Sequence, residues 1–208
     1  MYLKIYDQNQ TKMNCKDTII LENQFVQLRP LQSSDYKYLA YFAQHEPELW
    51  KFALVAVNDQ ATIQNYINLA IEGKTQNREY PFIVFDKTTN EYAGSTRFYD
   101  IQPHNKTIQL GYTWYGKKYQ GTALNKNCKF LMLQYAFEIL NVERVEFRAD
   151  NNNHRSIAAM KSIGCQVEGI LRSNLPTIQN GRRDSIILSI LKQEWLETVK
   201  TNLMQKLI

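Results

Sequence analysis

The chain changes from the pattern of a strand to that of a helix within one segment, Gly111-Tyr112-Thr113-Trp114-Tyr115-Gly116-Lys117-Lys118-Tyr119-Gln120-Gly121-Thr122-Ala123-Leu124-Asn125. Residues 107–114 are rich in Thr, Ile, Tyr and Trp, the residue types that β-strands favour. From Leu124 to Leu140 apolar residues recur at helical spacing, with Lys126 and Lys129 off the apolar stripe. The connection between them holds two glycines and two lysines, which indicates a basic loop.

This loop has the composition of an anion site. A helix N-terminus presents unpaired backbone N–H groups and the positive end of the helix dipole, which together favour a phosphate. Gly121 and Ala123 would allow phosphate oxygens to approach the main chain, and Lys117, Lys118 and Lys126 would add charged contacts. The alternative is a set of lysines on a solvated face. The segment is neither a Walker loop nor a Rossmann fingerprint, because it lacks both GxxxxGK[ST] and GxGxxG.

On both sides of this segment, the sequence patterns alternate between those of strands and those of helices. They predict strands at 25–29, 81–86, 92–99, 107–114, 145–149, 166–172 and 183–191, and helices at 36–42, 59–71, 124–140 and 157–163, with a last helix around Trp195. This order is typical of an α+β domain built on a mixed sheet. Residues 1–19 lack a period and are interpreted as an N-terminal extension or an added strand.

Length and composition exclude several classes of protein. A chain of 208 residues with 44% hydrophobic and 22% charged residues fits one globular domain rather than a disordered or fibrous protein. It contains no apolar run of about 20 residues and no signal-peptide pattern, so we expect a cytoplasmic protein without a membrane partner. Three widely spaced cysteines predict reduced thiols, and three scattered histidines predict no metal site.

Charge is distributed unevenly between the two halves. Residues 1–104 carry a net charge of −2, whereas residues 105–208 carry +7. The second half should therefore attract an anion, which could be nucleic acid, an acidic membrane surface or a phosphorylated small molecule.

The local motif favours the small molecule. Lys118-x-x-Gly121-x-Ala123 resembles the (Arg/Gln)-x-x-Gly-x-(Gly/Ala) signature with which GNAT superfamily N-acetyltransferases hold the pyrophosphate of acetyl-coenzyme A (acetyl-CoA). Further segments resemble the same family in order, and these are Val26-Gln27-Leu28-Arg29-Pro30-Leu31, Arg144-Val145-Glu146, Asp150-x-x-Asn153-x-x-Ser156, Gly169-Ile170-Leu171-Arg172 and Gly181-Arg182-Arg183-Asp184-Ser185. The resemblance covers roughly residues 20–198 and is closest to the Rim-type branch of ribosomal-protein N-terminal acetyltransferases.

The resemblance implies a single GNAT domain over residues 20–208. Its sheet would be mixed and mostly antiparallel, with splayed parallel central strands at 107–114 and 145–149, flanked by helices. The pantetheine arm of acetyl-CoA, a co-substrate, would lie between these strands, and no metal is implied. The implied cofactor-binding residues are Thr113, Trp114, Lys118, Tyr119, Gln120, Gly121, Thr122, Ala123, Leu124, Asn125 and Asn153.

The catalytic residues are implied by the same resemblance. Asn153 would contact the pantetheine arm, and Ser156 would donate a hydrogen bond to the departing sulfur. Alternatively, Asn153 is only the N-cap of a helix that has Ser156 in its first turn. Met160 stands where many members carry an acidic Tyr. Gln109 stands where relatives often carry Glu, and an amide cannot act as a base.

Other charged residues are candidates for the general base or for ligand contacts. Glu146 is a candidate base, but its alternation with apolar neighbours favours a solvent-facing position. Arg183 is expected to pair with an acidic residue rather than to bind a ligand, and Arg155 to reach either the adenosine 3′-phosphate or solvent. Acceptor contacts are expected from residues 50–57 and 175–181.

Three functions follow from these observations. The first is an acetyl-CoA-dependent N-acetyltransferase acting by direct attack of a primary amine, either a protein N-terminal α-amine or a small molecule. The second is a non-catalytic acyl-CoA-binding or regulatory protein of the same fold, which Gln109 and Met160 favour. The third, a nucleic-acid-binding domain, rests on basicity alone. A homodimer is compatible with the oligomeric state that is usual in the family.

Overall fold

The structure is a computed structural model in which residues 13–207 are described. Its strands are β1 (Leu21–Glu22), β2 (Val26–Pro30), β3 (Glu79–Asp86), β4 (Glu91–Gln102), β5 (Thr107–Tyr115), β6 (Arg144–Asp150), β7 (Gln166–Pro176) and β8 (Arg182–Leu191). Its helices are α1 (Tyr36–His45), α2 (Gln60–Thr75), α3 (Leu124–Gln134), α4 (His154–Ser162), α5 (Lys192–Glu194) and α6 (Lys200–Met204). Helix α3 continues into a π-helical turn, Tyr135–Ile139, and a second such turn, Trp195–Val199, joins α5 to α6.

All eight strands belong to one sheet in the order β1-β2-β3-β4-β5-β6-β8-β7. Every pair is antiparallel except β5 and β6, which run parallel at the centre. The connection between these two strands contains α3, as expected for a parallel crossover. The predicted α+β class, the mixed, mostly antiparallel sheet and the central parallel pair are confirmed.

The two central strands pair over a short distance only. Their register is Thr107 with Arg144, Ile108 with Val145 and Gln109 with Glu146. Beyond these positions β5 continues to Tyr115 and β6 to Asp150 without pairing to each other. The strands therefore splay apart toward their C-terminal ends, as the family resemblance implies.

A β-bulge accompanies the splay. Ser95 of β4 pairs with Trp114, and Arg97 pairs with Gly111, so Tyr112 and Thr113 together oppose a single residue. Tyr112 has a φ of +48°, which is unusual for a bulky side chain. A bulge bends its strand and increases the local twist, so it directs the end of β5 away from β6.

Aromatic packing holds the end of β5 in this direction. The Trp114 ring lies 5.7 Å from the Phe42 ring and 4.7 Å from the Trp50 ring, measured between centroids. Its Nε1 donates a hydrogen bond of 3.3 Å to the Tyr66 hydroxyl. The partners come from α1, α2 and the turn between them. By contrast, β6 remains paired with β8 as far as Asp150 and Ser185.

Helix α3 is deeply buried in the hydrophobic core. Residues 127–133 are all buried, and Phe130 packs against Trp195 with a centroid separation of 5.6 Å. This includes Lys129, although the helical pattern places its side chain off the apolar stripe. That prediction is wrong, because the C-terminal helices and the sheet cover more of α3 than one stripe.

The N-terminal segment falls partly outside the described residues. Of the predicted extension 1–19, residues 13–19 form turns without a strand, and Met13, Cys15 and Ile19 are buried. The Ile19 amide donates a hydrogen bond of 2.9 Å to the Tyr80 hydroxyl. This part packs against the domain rather than standing apart from it.

Close contact between β4 and β5 at Gly94 generates a prediction about stability. A Cβ at Gly94 would lie 2.1 Å from the Trp114 carbonyl oxygen, so any side chain would force the two backbones apart. We expect Gly94→Ala to lower the free energy of unfolding by about 2 kcal/mol or more, as measured by urea denaturation.

Gly169→Ala is the matched control, because a Cβ at Gly169 would meet nothing within 4 Å. Its effect should stay below about 0.5 kcal/mol. Equal destabilisation by the two substitutions would contradict the proposed contact.

Candidate functional site

The loop between β5 and α3 presents unpaired main-chain donors. Helix α3 begins without a side-chain N-cap at Ala123, and the Leu124 amide donates 3.2 Å to the Thr122 hydroxyl. Within residues 13–207, the amides of Asn125 and Lys126 have no acceptor. Such amides at the positive end of a helix favour an anion.

Gly121 leaves space in front of these amides. Its φ is +76°, and a Cβ built on it would meet nothing within 4 Å. The left-handed conformation explains why glycine suits this position. The open volume next to unpaired amides fits a pyrophosphate group.

The side chains of the loop are partly engaged with the protein. Lys118 contacts the Glu91 carboxylate, which also accepts a hydrogen bond of 2.8 Å from the Tyr119 hydroxyl. The bond to Glu91 raises the pKa of Lys118. Both side chains therefore point to β4. In this arrangement Lys118 and Tyr119 offer a ligand in the loop their main-chain groups, because their side chains are bound to Glu91.

A contact between side chains joins the loop to the start of α4. Gln120 donates 2.8 Å to the Tyr115 carbonyl oxygen and accepts a hydrogen bond from Arg155. Because Arg155 follows the end of β6 and Gln120 follows the end of β5, the contact spans the mouth of the splay. Arg155, which was expected to reach either an adenosine 3′-phosphate or solvent, lies beside the loop between β5 and α3.

Asn153 and Ser156 lie at the same mouth, in the first turn of α4. The Asn153 Oδ1 accepts a hydrogen bond of 3.1 Å from the Ser156 amide, so Asn153 is the N-cap of α4. The Ser156 hydroxyl is half-buried and makes no hydrogen bond to any described residue. The structure thus shows the N-cap arrangement and leaves the Asn153 amide nitrogen and the Ser156 hydroxyl available to a ligand.

The structure brings the sequence-predicted site residues together around the splay. The open edge of β5, the loop with the first turn of α3, and the first turn of α4 border it, and they contain Thr113, Trp114, Lys118, Tyr119, Gln120, Gly121, Thr122, Ala123, Leu124, Asn125, Asn153 and Ser156. Trp114 is buried in the aromatic cluster, so its main chain rather than its ring faces the gap.

A buried lysine lies beneath the bulge of β5, and the sequence patterns did not predict it. The Lys129 Nζ donates 2.7 Å to the Thr113 hydroxyl and 3.1 Å to that of Thr96, and these hydroxyls lie 2.7 Å apart. No described carboxylate forms an ion pair with Lys129, which is only 5% exposed. Burial lowers its pKa from 10.5 to about 7, while Cys128 and Cys165 act in the opposite direction with smaller effect.

A second buried cation lies on the neighbouring strand. Arg97, 4% exposed, forms an ion pair of 2.6 Å with Glu79. Its guanidinium also lies 4.2 Å from the centroid of the Tyr112 ring and 4.9 Å from that of Tyr66. These cation–π contacts support Tyr112 in its left-handed conformation, and thereby the bulge.

Gln109 lies at the last paired position before the splay. Its Nε2 donates 2.7 Å to the Asp100 carboxylate, while its buried Oε1 has no partner among the described residues. Glu146, opposite Gln109, is only 16% exposed in its side chain and pairs with Arg144 at 2.8 Å and Arg148 at 2.6 Å. The prediction that Glu146 faces solvent is wrong, because these two guanidinium groups cover it.

A cleft of about 430 Å³ opens beside the ends of β6 and β8. Residues 51–54 and residues 176, 177 and 179 line it, so the two segments expected to contact an acceptor both contribute to this cleft. Asp150 and Arg183 are also part of the lining. Arg183 forms no ion pair with a described residue, which contradicts the expectation that it pairs with an acid.

Other kinds of site find no support in residues 13–207. The described histidine, cysteine and acidic side chains form no group of three or more able to hold a metal ion. None of the helices in this part of the chain has the length and apolar character needed to cross a membrane. Cys15, Cys128 and Cys165 are buried free thiols.

Comparison with known proteins agrees with this geometry. The Acetyltransferase (GNAT) domain profile matches residues 26–166. The Bacillus licheniformis protein named Uncharacterized N-acetyltransferase p20 is 24% identical over 169 residues, covering 81% of this chain and 93% of its own.

Two solved structures share the fold. A GCN5-related N-acetyltransferase from Brucella melitensis has a TM-score of 0.86 at 24% identity, over 97% of this chain and 90% of its own. Mycobacterium smegmatis RimJ, solved in complex with CoA-disulfide, has a TM-score of 0.76 at 16% identity, over 90% and 93% of the two chains.

The buried lysine generates a pH-dependent prediction. Between about pH 7 and 10.5 the unfolded chain holds the Lys129 proton more tightly than the folded protein, so stability should rise with pH over this window. Lys129→Met removes the buried charge while the two threonine hydroxyls remain paired. We expect it to raise Tm by about 5 °C at pH 6 and by clearly less at pH 9.

Lys161→Met, at an exposed position of α4, is the control and should change Tm little at either pH. If the Lys129→Met protein were less stable than the wild type at pH 6, the buried lysine charge would not destabilise the folded protein.

Proposed function

The chain belongs to the GNAT family of acetyltransferases, and on that premise we propose that it transfers the acetyl group of acetyl-CoA to a primary amine. The acceptor would be a protein N-terminal α-amine or a small-molecule amine. The observation that carries the proposal is the meeting of three open groups at one splay: the unpaired edge of β5, the free amides of α3, and the space in front of Gly121.

Each of these groups suits one part of acetyl-CoA. The unpaired edge of β5 offers main-chain donors and acceptors to an extended amide chain such as pantetheine. Asn125 and Lys126 offer amides to the pyrophosphate. The RimJ complex with CoA-disulfide supports the binding of a CoA group by a protein of this fold. Arg155, beside the loop, adds positive charge at the same end.

The residues at the mouth of the splay would then support the transfer. Acetyl-CoA supplies an activated thioester carbonyl, which an unprotonated amine can attack directly. The Ser156 hydroxyl, which makes no hydrogen bond to a described residue, would donate one to the leaving sulfur. The Asn153 amide nitrogen would hold the pantetheine arm. Gln109 cannot accept the ammonium proton, because its side chain is an amide.

A second candidate is an acyl-CoA-binding protein without turnover. Gln109 favours it, because its amide replaces a carboxylate at the buried position next to the splay. Met160 favours it as well, because a thioether cannot act as an acid. Thiol release from acetyl-CoA in the presence of amines separates the two candidates, since binding without release would support the second.

Substitution of Gly121 tests the cofactor site. Asn and Asp have the same size and both tolerate a positive φ, so Gly121→Asn and Gly121→Asp should fold alike. The carboxylate would repel the pyrophosphate, and we expect Gly121→Asp to bind acetyl-CoA at least about 10-fold more weakly than Gly121→Asn, by calorimetric titration. Equal affinities of the two variants would place the pyrophosphate elsewhere.

A further inference from the structure

Two oppositely charged side chains in the cleft beside β6 and β8 have no ion-pair partner. Arg183 is 9% exposed, and the only hydrogen bond of its guanidinium to a described residue is from Nε to the Ser185 hydroxyl at 3.3 Å. Asp150 is 7% exposed and accepts a hydrogen bond of 2.8 Å from the Asn152 amide alone. No ion pair within 4.0 Å joins either of them to a residue in the described part of the chain.

The Arg183 guanidinium has N–H donors free for a ligand. Four of its five donors find no acceptor among the described residues, and its terminal nitrogens are not fully buried, so they are open to the cleft that Arg183 lines. Partial burial lowers the pKa of Arg183. The nearest acid, Asp150, raises that pKa without reaching ion-pair distance. An anion entering the cleft would supply the missing acceptors.

The other charged side chains around the cleft are already occupied or exposed. Arg182 donates to the Ser173 carbonyl and hydroxyl at 3.0 and 2.7 Å, and Asp184 accepts from the Ser173 amide at 2.7 Å. Lys51 is exposed, with its Nζ over the Phe52 ring. Arg183 and Asp150 are therefore the buried charges of this lining that remain for a ligand.

Arg183 has the chemistry of a carboxylate site. It lines the cleft together with Asp150. Its guanidinium fork matches the two oxygens of a carboxylate. Asp150, at the end of β6, matches a cation such as an ammonium group.

Resting on the proposed function, we propose that the acceptor is a free α-amino acid or a similar small zwitterion, with its carboxylate on Arg183 and its amine at Asp150. A cleft of about 430 Å³ suits a molecule of this size. The α-amine of a peptide lacks the adjacent carboxylate and would leave Arg183 unpaired.

The transfer balances with these residues. The acceptor ammonium gives one proton to the Asp150 carboxylate, and the resulting amine attacks the thioester carbonyl. The N–C bond forms as the C–S bond breaks, and the second amine proton ends on the departing sulfur to give the free thiol. Asp150 later returns its proton to solvent.

The test compares free amino acids with their α-amides, which keep the amine and the side chain but lack the carboxylate. Thiol release from acetyl-CoA should show kcat/KM at least about 10-fold higher for the acid that is used best than for its amide. Arg183→Gln should remove this preference by raising KM for the acid about 10-fold or more, with little change for the amide. Arg183→Lys should retain part of it.

Arg182→Gln is the matched control and should keep the preference for the acid. Asp150→Asn should lower kcat for acid and amide alike, because it removes the proton acceptor. Acetyl-CoA binding, followed by calorimetry, should be the same in all four variants, which shows that the fold is intact.

Three outcomes separate the inference from the proposed function. A wild type that prefers amides or N-terminal peptides, or an Arg183→Gln protein that loses acid and amide equally, overturns the inference while leaving acetyl transfer intact. Calorimetric binding of the acid, lost in Arg183→Gln, without thiol release supports the zwitterion site and overturns the proposed function. Absence of both acid binding and thiol release overturns both.

Discussion

Parting of the two central strands is the constraint on which the rest of the structure depends. A strand edge inside a protein leaves polar groups that need partners, so a parallel pair that stops at Gln109 and Glu146 requires other attachments for each strand. Trp114 attaches the end of β5 to the helices before β3, and β8 holds the end of β6. The bulge at Tyr112 allows β5 to turn toward its helices. The gap left between the strands is the proposed cofactor site.

Buried cations support this arrangement from both sides of β5. Lys129 fixes the threonine hydroxyls under the bulge, and Arg97 stacks on the ring of Tyr112 above it. Buried charges of this kind rarely add to stability, since desolvation offsets much of what their contacts contribute. We interpret them as groups that specify one geometry of β5. Arg183 differs from these two cations, because no group of the described residues completes the hydrogen bonds of its guanidinium.

Apart from the two-residue strand β1, which the patterns did not indicate, the sequence predicted the order of elements and the strand-to-helix loop correctly. These depend on local periodicity and on glycine and lysine near a helix start. Positions of single charged side chains were harder to predict. Lys129 was expected off the buried stripe, Glu146 in solvent and Arg183 in an ion pair, and the structure contradicts each expectation. Their environments depend on which distant segments cover them. Only Arg183 had a local signal for its unpaired state, because Arg182-Arg183-Asp184 offers one acid for two guanidinium groups. In the structure that acid, Asp184, accepts a hydrogen bond from the Ser173 amide.

Hydrogen exchange measured along β5, with and without acetyl-CoA, tests the central claim most directly. If the edge beyond Gln109 is an open ladder that the pantetheine arm completes, amides in residues 110–115 should exchange more slowly once the ligand is bound. Amides of β2, which lies paired between β1 and β3, should not change. Unaltered exchange in residues 110–115 at saturating acetyl-CoA would contradict the account, since the ligand would then bind without using the splay.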